Sequence, residues 1–358
     1  MLNSIYNHIM VQIQEDKYNF LRFDTINLDK INSLVAQLSN QFNTAVIIGF
    51  GASSLNVQAL ASALGSQIKK VVYLDSLDQL EIDNKLKAIE LQKAAFFSLS
   101  RSGNTNETYL LTEYVLNVLH ISPKQLYIIA PVSDNLLFNL SKSYSTNYLS
   151  HDEIQSGRFG IFTNATLLPA AFLGVDIKKV VTAAKNKIAD TNLSTKTTVC
   201  QEAKYYLDNY SLNRHILILF NYCYQLDGLC RWQQQIIAES LGKNGFGITP
   251  VIAKGTFDQH SLLQLYLEGP DDKFYKLITN NQTNSSIDRS LAAHANNIYT
   301  ALLSTSRPVV LENYSSINEQ VIVEKIIDTM LCTMLIAYSL QTDPFDQPSV
   351  DKYKIKFN

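Results

Sequence analysis

Residues 45–54 read AVIIGFGASS. The run Ala45–Gly51 (AVIIGFG) has no polar alternation and is too short for a helix, so it predicts a strand buried on both faces. The two glycines and the serines that follow predict a tight turn into a helix. The same pattern recurs at residues 71–75 (VVYLD), 94–100 (AAFFSLS) and 126–130 (LYIIA), each expected to be buried on both faces. Helical spacing of apolar residues separates these runs, as at 57–64 and 107–119. That rhythm of strand, helix and strand predicts a parallel sheet with helices on both sides. A second series follows at 215–220, 247–252, 273–278 and 309–311, with helical patterns at 228–239, 261–267, 290–303 and 320–340. The expected fold class is α/β, with two doubly wound domains, each a mainly parallel sheet flanked by helices. The expected division is a helical lead-in over 1–40, a first domain over 41–180, a second over 181–340 and a tail over 341–358. The polar stretch LSTKTTV lies in a helix-rich connector near 175–205.

The chain has 358 residues, 30 basic against 32 acidic, and a net charge of −2. At roughly 150 residues per domain this length suits two domains. Charged residues make up 17% of the chain, below the roughly 25% of an average soluble protein. There is no global basic field to attract nucleic acid or an anionic membrane, so neither is expected as a partner. A phosphate would have to be held by a local site. Only seven basic residues are Arg, which draws attention to any Arg inside a Gly-rich segment. Cys200, Cys223, Cys230 and Cys332 are widely spaced, which argues against a zinc ribbon or a disulfide scaffold and fits a reducing compartment. No cleavable leader is expected in MLNSIYNHIMVQIQED, and no apolar run approaches the roughly 20 residues of a membrane helix. A soluble cytoplasmic protein is expected.

In an open parallel sheet, ligands sit beyond the carboxyl ends of the strands, so the residues after each strand are the ones to read for chemistry. Gly49-Phe50-Gly51-Ala52-Ser53-Ser54 could admit an anion to backbone N–H groups, or could be an ordinary tight turn. It is not a G-x-G-x-x-G dinucleotide motif. Ser100-Arg101-Ser102-Gly103-Asn104-Thr105 places three hydroxyls and a glycine before a helix, a set that can wrap a phosphomonoester. Asn104 or Thr105 capping that helix is the alternative. Arg158, flanked by glycine in Ser156-Gly157-Arg158-Phe159-Gly160, could stabilise developing oxyanion charge or be a surface loop residue. Gln235 and Glu239, four apart, share one helix face. Glu239 would stand near the negative end of the helix dipole, which disfavours its charge and suits a general base; a solvated carboxylate is the alternative. His260 is expected at the start of a helix after a strand, as catalyst or as cap. Lys352 and Lys354 lie in a polar tail after FDQPSV.

The loop SRSGNTNET resembles the phosphosugar-binding loop of the sugar isomerase (SIS) domain family. Taken in order, SGRFGIFTNATLLPAAFLGVDI, AESLGKNGFGITPV, DQHSLLQLYLEGP and FDQPSV resemble motifs of the phosphoglucose isomerase (glucose-6-phosphate isomerase) family, in its short bacterial type, over residues 45 to the end. The resemblance implies two SIS-type domains and an aldose–ketose isomerase that interconverts glucose 6-phosphate and fructose 6-phosphate through a cis-enediol. It implies Glu239 as the base, Arg158 as the stabiliser of the enediolate and Gln235 as a positioning group. His260 and Lys354 would assist ring opening, the lysine from the tail. Ser100, Ser102 and Thr105 would hold the phosphate, with Ser53 beside them. It further implies no cofactor or metal, and a homodimer in which the neighbouring subunit supplies His260. Ala52, Ser156, Gly160 and Leu241 depart from the family pattern, and Arg101 replaces its usual Lys. Two alternatives are a dual phosphoglucose/phosphomannose isomerase and a catalytically weak sugar-phosphate-binding protein.

Overall fold

In the computed structural model, which describes residues 1–66, 68–190, 193–280 and 284–353, two all-parallel sheets account for every named strand. The first contains β1 (Thr44–Ile48), β2 (Lys70–Leu74), β3 (Ala94–Leu99), β4 (Leu126–Ala130) and β5 (Asn147–Ser150), in the order β2-β1-β3-β4-β5. Every residue of β1 and β3 is buried, because helices cover both faces of these inner strands; that is why their sequences are apolar but for Thr44 and Ser98, the latter hydrogen-bonded to Thr112.

Two edges differ from expectation. The run at 71–75 is an edge strand, with Lys70 and Val71 exposed, not a strand buried on both faces. Having one neighbour and an open flank, it tolerates a lysine. The other edge, β5, has the polar sequence NYLS and no fully buried residue, so nothing in its composition announces a strand.

The second sheet contains β6 (Ile216–Asn221), β7 (Thr249–Lys254), β8 (Lys273–Asn280) and β9 (Val309–Tyr314), in the order β7-β6-β8-β9. The connector is helical: Ile177–Ala189 is followed by Leu193–Ser211, which contains LSTKTTV.

The chain forms two compact units. One comprises Glu15–Thr182 and the residues from Gln347 onward; the other comprises Met1–Gln14 and Ala183–Asp346. The first forty residues are thus shared, with helix Leu2–Gln14 in the unit of the second sheet. In the first sheet the chain moves outward from β1 to β2, then returns to β3 on the other side. This reversal places a topological switch point between β1 and β3, and doubly wound folds bind ligands at the carboxyl ends of the strands there.

Candidate active site

In the first unit, two loops flank that switch point. A Cβ at Gly49 would lie 3.0 Å from the Ser53 Cβ and 3.3 Å from the Leu99 carbonyl oxygen, so glycine lets the β1 turn sit against the end of β3. Gly51, at φ 56°, is the N-cap of helix Ala52–Leu64, and Ser53 lies half-buried on its first turn. From β3, Ser100 is buried; its Oγ accepts the Gly103 N–H at 3.0 Å and lies 3.0 Å from Thr105 Oγ1.

Thr105 is the N-cap residue of helix Asn106–Asn117, yet its side chain makes no capping bond. Its hydroxyl turns to Ser100 instead. The positive end of the helix, with the leading N–H groups every helix leaves over, is therefore not consumed by its own cap side chain. Simple capping does not describe this loop. The Oγ of Ser102, which is exposed, accepts the Asn104 N–H at 3.1 Å, and Asn104 Oδ1 accepts the Leu136 N–H at 3.0 Å. Gly103 has φ 70°, and a Cβ there would overlap the Asn135 side-chain amide, so a side chain would be strained and would displace that amide.

A third segment joins these loops. Arg158 is 1% exposed, so it is not a surface loop residue; its Nη1 donates to Gln347 Oε1 at 2.9 Å. A Cβ at the neighbouring Gly157 would lie 3.3 Å from the Ala52 Cβ and 3.8 Å from Arg101 Cδ, and Asn56 Nδ2 donates to the Gly157 carbonyl at 3.0 Å. Residues 49–54, 100–105 and 156–160 thus converge on one end of the first sheet. Gln347, in the FDQPSV motif, is a site residue that had no role assigned from sequence.

The departures have local causes. A side chain at Gly160 would place its Cβ 2.5 Å from Ile154 Cδ1, so the isoleucine fills the space that a serine would need. The Ala52 methyl packs against the bare Cα of Gly157. Ser156 is buried and precedes the short 3₁₀ helix Gly157–Phe162 without capping it.

In the second unit, Gln235 and Glu239 lie in the last two turns of helix Asp227–Leu241. They share a face, as their spacing requires. Gln235 Nε2 donates to Glu239 Oε1 at 3.0 Å, and Gln235 Oε1 is buried without a hydrogen-bond partner among the described residues. Leu241, fully buried, ends the helix before Gly242. Beyond it, Lys243 Nζ pairs with Asp346 at 2.5 Å and donates to the Asp343 carbonyl.

His260 is exposed and lies in a turn; the helix expected to begin there starts only at Leu263. Lys354 lies outside the described residues. Among the described residues no group of His, Cys, Asp and Glu is arranged to hold a metal ion. The first unit therefore offers hydroxyls, a helix N-terminus and a buried guanidinium, which suit a phosphorylated, oxygen-rich ligand. The second offers a carboxylate oriented by an amide, which suits proton transfer.

No family model matches the chain. It is 29% identical over 362 residues to a Methanococcus maripaludis protein named "Probable glucose-6-phosphate isomerase", spanning 94% of this chain and 82% of that one. It is 27% identical over 351 residues to the glucose-6-phosphate isomerase of Methanocaldococcus jannaschii, spanning 92% of this chain and 85% of the relative. The chain is a relative of the glucose-6-phosphate isomerases. The likeness to these isomerases extends over residues of both units rather than over one shared domain. A solved structure of a hypothetical protein from Thermus thermophilus superposes with a TM-score of 0.84 at 22% identity, covering 98% of this chain and 92% of that one. The fold is α/β, with two parallel sheets flanked by helices, as in that structure.

Proposed function

We propose that this protein is an aldose–ketose isomerase that interconverts glucose 6-phosphate and fructose 6-phosphate. The observation that carries the reading is the similarity, over more than nine-tenths of the chain, to proteins named glucose-6-phosphate isomerase. The hydroxyl loop alone would suit any phosphomonoester.

In the aldose-to-ketose direction, Glu239 takes the C2 proton. The electron pair left at C2 forms the C1–C2 double bond of the cis-enediol, and the carbonyl oxygen at C1 gains the charge. Return of the proton to C1 and transfer of the O2 proton toward O1 complete the isomerisation. Gln235 holds the Glu239 carboxylate in one orientation. Arg158 stabilises the enediolate oxygens, a charge present only in the intermediate and its flanking transition states. Ser100, Ser102 and Thr105, with Ser53, hold the phosphate through neutral donors and the helix dipole. His260 and Lys354 assist opening of the sugar ring. The reaction only relocates protons within the substrate, one between carbons and one between oxygens, and needs no organic cofactor.

We also propose a homodimer in which His260 serves the partner's site. Tyr224, Phe257 and Ile287, which are 82%, 70% and 77% exposed, lie at the carboxyl end of the second sheet with His260; large exposed apolar residues at one place suit an interface. Four free cysteines suit the cytoplasm, and the reaction suits glycolysis and gluconeogenesis. The test is a direct isomerase assay on fructose 6-phosphate and mannose 6-phosphate with one preparation. Turnover of fructose 6-phosphate alone is expected. Equal turnover of both, or tight binding with no turnover, would overturn the reading.

A further inference from the structure

The turn that carries His260 is built in two layers. Its backbone is closed by Asp258: Oδ2 accepts the Lys254 N–H at 2.6 Å, Oδ1 accepts the Ser261 hydroxyl at 3.0 Å, and the carbonyl accepts the Leu262 N–H at 2.7 Å. Thr256 sits in the left-handed region at φ 61°, where a residue without a strong local need is strained. Gly255 lies on the ring of Tyr222: a Cβ there would be 2.5 Å from Tyr222 Cγ. These contacts fix the shape of the turn. They do not by themselves fix the direction of the residue at its apex.

The residue before the apex, Gln259, carries side-chain bonds that leave the turn. The Tyr222 hydroxyl donates to Gln259 Oε1 at 3.1 Å, and Gln259 Nε2 lies 3.1 Å from His294 Nδ1. Tyr222 follows β6, and His294 lies on helix Ser286–Ser304. One amide thus ties the turn to two other elements of the same unit. Tyr222 is 4% exposed, and burial pushes its hydroxyl well above the usual tyrosine range, so it stays an O–H donor. With the amide oxygen taken, Nε2 faces His294, whose Nδ1 accepts in the neutral tautomer that carries its proton on Nε2.

We propose that Gln259 is a positioning residue for His260, holding that imidazole through an amide clamp between Tyr222 and His294. The proposal rests on the ring-opening role given to His260 above. His260 itself stays exposed; its usefulness to a cyclic sugar depends on where the neighbouring backbone aims it. A misplacement of about 1 Å can lower a rate roughly a hundredfold.

The experiment compares kcat for fructose 6-phosphate with the affinity for 5-phospho-D-arabinonate. That compound is acyclic and carries a carboxylate where the enediolate would form, so it does not call on ring opening. Gln259→Ala is expected to lower kcat roughly ten- to hundredfold and to leave the affinity for the acyclic compound within about twofold. His294→Leu is expected to lower kcat in the same way, without adding to Gln259→Ala in the double variant, because both break one clamp. His294→Asn is expected to restore kcat, since the asparagine Oδ1 stands near the place of the histidine Nδ1.

His260→Ala is the reference. If it loses turnover while Gln259→Ala keeps it, the clamp is refuted and the role of His260 stands. A parallel fall of kcat and acyclic affinity in Gln259→Ala refutes the clamp as well, and so does a His294→Asn variant as impaired as His294→Leu. If His260→Ala keeps full turnover, the ring-opening role fails, and the proposal fails with it.

Discussion

Replacing Lys276 with methionine should destabilise the second unit more than any other single change of its size. Lys276 points from the middle of β8 into a buried cluster of four charges. Its Nζ contacts Glu202 and lies 3.3 Å from Glu312 Oε2, and its side chain is 3% exposed. Lys325 completes the cluster, 3.1 Å from Glu202 Oε2 and 2.6 Å from Glu312 Oε2. Two carboxylates and two ammonium groups therefore balance. Methionine keeps the volume and removes one charge, leaving two buried carboxylates to share one lysine.

Breaking a buried ion pair by removing one partner costs about 3–5 kcal/mol. At about 2–4 °C per kcal/mol for a domain of 150–250 residues, the thermal midpoint should fall by roughly 6–20 °C. A second variant isolates the cause: Lys276→Met with Glu202→Gln restores neutrality and should recover most of the loss, because the charges couple strongly.

Acid should narrow the difference. Burial alone would raise the Glu202 carboxyl, but Lys276 and Lys325 outweigh it and hold it well below the usual carboxylate range. Such a group contributes stability above its unfolded value, about 4.3, and loses it as pH falls toward the depressed folded value. The wild type should therefore lose stability more steeply below pH 5 than Lys276→Met. Calorimetric melting from pH 7 to pH 3 reads both effects. A Lys276→Met midpoint within 2 °C of wild type at pH 7, or no recovery in the double variant, would refute the reasoning.

Other sites give sharp expectations too. Ser100→Ala removes the hydroxyl that organises Gly103 and Thr105, so the KM for fructose 6-phosphate should rise roughly ten- to hundredfold, the worth of a hydrogen bond to a charged group, with a smaller change in kcat. Arg158→Lys keeps the charge but loses the planar fork that reaches Gln347; kcat should fall about a hundredfold while KM moves little. Gly160→Ser drives a side chain into Ile154 Cδ1, and thermal melting should show a loss of about 1–3 kcal/mol that Ile154→Val partly relieves.

The inner strands were legible because a strand covered on both faces is mostly apolar, as β1 and β3 are apart from Thr44 and Ser98. The edges were not. Having one strand neighbour, β2 can begin with an exposed lysine, and β5 can be short and polar at both ends. The phosphate-type loop could be located by its position after β3, but its use could not be decided, because a helix cap and an anion site draw on the same residue types. In the structure the Thr105 hydroxyl turns toward Ser100 and does not cap the helix. The helix start near His260 was misplaced because Asp258 spends its carboxylate closing a turn, which delays the helix to Leu263. Gln347 was invisible as a partner of Arg158 because that contact joins residues 189 positions apart. Nor did anything in the sequence signal that Lys276, in a core strand, is balanced by Glu202 and Glu312, which lie 74 and 36 positions away.

The assignment of Glu239 as the isomerising base is tested most directly by comparing wild type with Glu239→Gln in the conversion of fructose 6-phosphate to glucose 6-phosphate. Glutamine keeps the shape but cannot accept the C2 or C1 proton, so kcat should fall by at least about two to four orders of magnitude, the usual contribution of a general base. Binding of 5-phospho-D-arabinonate should persist, showing that the site is intact. A Glu239→Gln variant that turns over fructose 6-phosphate at a rate close to wild type would contradict the assignment outright.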